Sequence, residues 1–188
     1  MPTFRIRSLV AAVLASVMAT LIWTNAAAAA EQLDVIATSA KNGPIALTAG
    51  PIGVALTPPA GAGASIGERV ASAVKSSRAL HLMLTGLRAN VQPETLYQVY
   101  LGLPSGAAPT PDSANFVGTF NFFNAAIGEA AIGAGDRSRF FGYDVTDLAR
   151  SLHARKLLGD AVSVTIVPAG PPNPAARPIV GEVALVLD

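Results

Sequence analysis

In Leu80-His81-Leu82-Met83-Leu84-Thr85 the leucines take every second position, and in Val162-Ser163-Val164-Thr165-Ile166 the branched apolar residues do the same. A period of two sends alternate side chains to opposite faces of an extended chain, so each run predicts a strand with one face in a core. Apolar, β-branched or aromatic runs recur at 33–37, 45–47, 52–56, 80–87, 96–103, 116–123, 140–145, 161–167 and 179–187. Gly and Pro clusters separate them at the spacing of sandwiches and barrels. The breaks at Pro58-Pro59, Pro104 to Pro111 and Pro168 to Pro178 lack the donors a central strand needs, so they predict loops long enough to be lids or docking surfaces. One segment, Asp144 to Leu152, departs from this pattern: Asp and Thr suit a helix start, and Leu148 and Leu152 lie four apart before Gly159. The predicted fold is all-β, an antiparallel, jelly-roll-like β-sandwich with one short connecting helix.

The N-terminus has a different pattern. Arg5 and Arg7 precede an apolar run from Leu9 to Ile22, and an alanine tract ends at Ala30. The run is shorter than the roughly 20 residues a bilayer-spanning helix needs, and small residues follow it directly, which predicts a signal peptide over 1–30 cleaved near Glu31. A retained anchor would share the charged start and the apolar core; length and the alanines favour cleavage. Residues 31–188 then form a single domain, secreted or periplasmic, with no later membrane span. The whole chain carries 13 basic and 12 acidic side chains, and losing Arg5 and Arg7 leaves 11 against 12, a net charge of −1. Such a surface gives no reason to expect nucleic acid. The chain has no cysteine, so an exported domain must fold on its apolar core without disulfides or thiolate metal sites.

Candidate chemistry is sparse. Of the two histidines, His81 lies out of phase with the leucines of its run and His153 sits late in the predicted helix; neither has a second His at metal-ligand spacing. Gly61-Ala62-Gly63-Ala64-Ser65-Ile66-Gly67 has the look of a nucleotide fingerprint but follows Pro58-Pro59 instead of a strand, and reads as a flexible loop. Asp144 and Asp147, three apart, suit a helix start better than an acid–base pair. No G-x-S-x-G elbow occurs. The expectation is a chain that is not an enzyme and carries no cofactor and no metal.

Five segments in order, Tyr97 to Pro104, Phe116 to Phe123, Phe140 to Leu148, Val162 to Pro168 and Ile179 to Val183, together resemble the C-terminal β-sandwich of the tyrosinase and polyphenol oxidase family of type-3 copper proteins. In that family a helical domain binds two coppers through six histidines, and the sandwich caps its entrance. With only His81 and His153 the copper chemistry does not carry over. The resemblance implies a cap without its catalyst: an exported, non-catalytic accessory or binding domain acting in trans on a tyrosinase-like copper oxidase or another envelope protein. A purely structural exported domain is the second reading, and a hydrolase with an unrecognised triad the third. Within 116–123, Phe116, Phe120 and Phe122 share one strand parity, which predicts a core face, and Phe123 the other, which predicts exposure beside Asn121 and Asn124. Those three residues are the candidate partner-binding site.

Overall fold

The computed structural model describes residues 33–76, 78–123, 125–128, 140–159 and 161–188; the expected leader at 1–30 lies outside them. Along the chain come β1 (Asp34–Thr38), a 3-10 turn (Ala40–Asn42), β2 (Ile45–Ala46), β3 (Ile52–Leu56), α1 (Ile66–Lys75), β4 (Leu80–Thr85), β5 (Arg88–Ala89) and β6 (Tyr97–Leu101). After these follow β7 (Phe116–Phe120), β8 (Ala126–Ile127), β9 (Phe141–Asp144), α2 (Thr146–Ala154), β10 (Val162–Pro168), β11 (Ile179–Val180) and β12 (Glu182–Leu187). The strands form an all-β sandwich. One antiparallel sheet has the order β1-β12-β4-β9 and a second the order β3-β10-β6-β7; a small third sheet, β2-β11-β5-β8, is antiparallel except for its parallel β5–β8 pair.

The two alternating runs behave as their period demands. Leu80, Leu82 and Leu84 are buried while His81, Met83 and Thr85 are half-buried, and Val162, Val164 and Ile166 are buried on β10. All six belong to one apolar core. At roughly 1.5 to 3 kcal/mol for each fully buried aliphatic side chain, this face is what selects the register, because a slip of one residue would turn it to water. Pro168 is the last residue of β10, opposite Tyr97 on β6 and past the end of the β3 pairing at Ile166, a strand terminus where a missing donor is tolerated.

Among the described residues two helices are present where one was expected. The correction falls on the glycine-rich segment, which reads as loop but carries a capping box. Ser65 Oγ accepts the Glu68 N–H at 3.2 Å, and the Glu68 carboxylate accepts the Ser65 N–H at 2.8 Å. The Ser65 N–H, and then the Ser65 hydroxyl donating to the same carboxylate, hold the Glu68 carboxyl below its usual range. Ile66, Val70 and Ala73 follow on one face, and all three are buried. At α2, Asp144 accepts the Thr146 N–H at 2.9 Å and Thr146 Oγ1 accepts the Leu80 N–H at 2.8 Å, so helix start and strand are tied together. The helices pack on each other, α1 against β1 and α2 against β4. Both faces of β12 are buried, including Ala184 and Val186.

A β-bulge redirects the aromatic strand. Phe120, Thr119 and Gly118 pair in turn with Tyr97, Gln98 and Val99, but Tyr100 pairs with Phe116, leaving Val117 as the extra residue. One inserted residue inverts parity beyond it. Phe116 therefore shares a face with Tyr100, their ring centroids 5.5 Å apart, and is only half-buried, whereas Phe120 is buried as its parity predicts. Three sheet edges have a carbonyl taken by a side chain: Arg69 donates to Ile36 O at 3.4 Å on β1, Asn42 to Ala55 O at 3.0 Å on β3, and Tyr143 to Thr119 O at 2.7 Å on β7.

Tyr97 stacks on Phe120 at 5.3 Å and meets Phe122 edge-on at 5.6 Å. Its buried hydroxyl has no hydrogen-bond partner among the described residues, and burial pushes the phenol up to about 12. An unmade buried hydrogen bond costs about 1 to 3 kcal/mol. Tyr97→Phe is therefore expected to raise stability by about 1 kcal/mol in denaturant melts; a loss of that size would show that the hydroxyl is satisfied in solution.

Candidate functional site

Where β7 ends, Asn121 Oδ1 accepts the Phe123 N–H at 3.1 Å. This side-chain turn stops the strand and separates its two phenylalanines: Phe122 goes into the core at 1% exposure, and Phe123 stands in solvent at 77%. Beside them runs the loop entering β6. Gln92 Nε2 donates to Phe122 O at 3.1 Å, Asn173 N to Pro93 O at 2.9 Å, and Ala169 N to Leu96 O at 2.8 Å. Thr95 Oγ1 accepts the Gly170 N–H at 3.1 Å. Segments 92–96, 121–123 and 169–170 are thereby cross-linked into the walls of one groove of about 500 Å³. That volume lies in the range of small-ligand and side-chain pockets.

The lining is mostly apolar, with Leu96 and Phe123 as its large exposed side chains and Glu94 as the one charged side chain among the described residues. Among the described residues no Lys, Arg or His lines the groove. Glu94 has a backbone φ of 59°, in the left-handed region that glycine favours, and its carboxylate makes no ion pair or hydrogen bond among the described residues. Of the expected site residues, Asn121 and Phe123 are brought together here; Asn124 lies outside the described residues. The wall at 92–96 was not foreseen. Its sequence signal was the polar pair Gln92 and Glu94 set around Pro93 just ahead of a strand.

Elsewhere the titratable side chains do structural work. His81 is half-buried with Nε2 3.4 Å from Asp188 Oδ2. The Asp188 carboxyl is held below its usual range by the Ala79 N–H and then by His81. Asp144 is lowered by the hydroxyl and N–H of Thr146, while Asp147 pairs with Arg150, so these two aspartates do not face each other as acid and base. His153 is exposed on α2. Among the described residues no group of three or more His, Cys, Asp or Glu side chains is placed to hold a metal ion, and no helix is long and apolar enough to cross a membrane.

Fold and site together define a small β-sandwich domain with a rigid groove at one end of its aromatic sheet. The chain belongs to the family described as Domain of unknown function (DUF7868), whose model matches residues 32–187. No curated protein matches it. Among solved structures it is similar to latent apple tyrosinase, with 18% identity, a TM-score of 0.49 and coverage of 78% of this chain. It is also similar to latent aurone synthase, a polyphenol oxidase from natural source, with 16% identity, a TM-score of 0.45 and coverage of 76%. The chain matches 27% and 25% of the length of those two proteins.

Proposed function

We propose that this chain is an exported, non-catalytic accessory domain that docks on a protein partner through the groove at Asn121 and Phe123, a tyrosinase-like copper oxidase being the first candidate. The observation that carries the reading is Phe123, a large aromatic side chain 77% exposed at the rim of a groove whose walls are hydrogen-bonded in place. A preorganised aromatic anchor loses little entropy on contact and is the kind of side chain on which binding energy concentrates. The ordered set of strand motifs shared with the polyphenol oxidase sandwich supplies the candidate partner, and the leader-like segment at 1–30 supplies the compartment. The test is affinity capture from the native exported fraction with the protein and with Phe123→Ala, together with sequencing of the exported N-terminus. The expected outcome is a chain starting near Glu31 and a stoichiometric partner lost with Phe123→Ala. Equal capture by both variants would remove the groove from the interaction, and recovery of an intact Met1 chain would remove the cleaved leader.

A further inference from the structure

Four of the N–H groups that border the groove are already spoken for. The Phe123 N–H goes to Asn121, the Gly170 N–H to Thr95, the Ala169 N–H to Leu96 O, and the Gln92 amide N–H to Phe122 O. Among its described residues the groove is a mostly apolar trough with a single charge, the Glu94 carboxylate, and no cationic side chain. An anionic occupant would meet a lone carboxylate with nothing to offset it, and a neutral apolar one would leave that carboxylate desolvated and unpaired. The complementary occupant has an apolar body and a cationic donor.

We propose, building on the docking reading above, that the groove takes an arginine side chain from a partner protein's loop, its guanidinium against the Phe123 ring and its donors on Glu94. Arginine fits better than lysine because a planar guanidinium lies flat on an aromatic face while donating two parallel hydrogen bonds to a carboxylate. Its methylene stem, with an apolar neighbour on the partner loop, covers Leu96, which is 46% exposed. The backbone agrees: a glutamate held at φ 59° pays a conformational cost that a glycine there would avoid.

The test uses the purified protein and two blocked tripeptides, acetyl-Leu-Arg-Leu-amide and its citrulline twin, which keeps the shape and loses the charge. Binding is followed by NMR shifts of the backbone amides of residues 94, 96, 121 and 123. The arginine peptide is expected to bind about tenfold tighter than the citrulline peptide, and the difference is expected to vanish in Glu94→Gln. Glu94→Gly is expected to lose the same discrimination while melting at or above the parent temperature, which separates a binding role from a structural one. Equal binding of the two peptides would overturn the arginine proposal and leave docking at Phe123 standing. No shift with either peptide would overturn it too, and the capture experiment with Phe123→Ala then judges the docking reading on its own.

Discussion

Phe120→Ala is expected to cost about 3 to 5 kcal/mol, a fall in melting temperature of roughly 10 °C or more for a domain of this size. The ring is 1% exposed and lies at the hub of an aromatic cluster, with centroids 5.3 Å from Tyr97, 5.8 Å from Phe122 and 5.8 Å from Phe141. Tyr97 and Phe122 are themselves buried, and Phe141, on β9 of the facing sheet, packs against the core. Neighbours on both sheets cannot all close over the space a lost ring leaves, so the cavity term adds to the lost transfer energy. The same truncation three residues on, Phe123→Ala, removes a side chain that is mostly in water already and is expected to change stability by less than about 0.5 kcal/mol. Denaturant melts of the two variants decide the matter; similar losses for both would mean that the turn at Asn121 does not hold the two rings on opposite sides.

Gly67→Ala is expected to destabilise by about 1 to 3 kcal/mol, against the ordinary rule that alanine in a helix improves on glycine by about 1 kcal/mol. A Cβ built at Gly67 meets Leu158 O at 2.7 Å, and the Gly67 N–H donates to Gly159 O at 3.2 Å. The obstruction is backbone, so no rotamer relieves it; the first turn of α1 must lift off the chain that follows α2, and the hydrogen bond goes with it. Gly53→Ala on β3 is the control, since nothing lies within 4 Å of its added Cβ. There the gain in strand propensity should show unopposed as a small increase in stability. If Gly67→Ala also gains stability, the two helices are not held together at that point.

Strand positions were legible where burial alone decides them. On β4 and β10 one face is core and the other is not, so a period of two is written directly into the residues. Legibility failed where two signals compete. Gly61, Gly63 and Gly67 outweighed Ser65 and Glu68, although the capping box and the 66, 70, 73 spacing carry the energy. Phe116 was lost for a different reason: a bulge costs one residue and leaves no compositional mark, so parity propagated through Val117 points to the wrong face. At the site, Asn121 and Phe123 could be named because the aromatic strand passes through them. The wall from 92 to 96 could not, because it is joined to that strand end by the bond from Gln92 to Phe122 O, between residues far apart in the chain.

The side chains that occupy edge carbonyls on β1, β3 and β7 bear on how this chain behaves in a crowd. A sandwich has open strand borders, and each is an invitation to zip onto a neighbour and start a fibril. Arg69, Asn42 and Tyr143 each place a polar head across such a border, so an incoming strand would have to displace an existing bond before it formed a new one. With no cysteine to lock the fold, each such bond raises the cost of edge-to-edge addition at its own border.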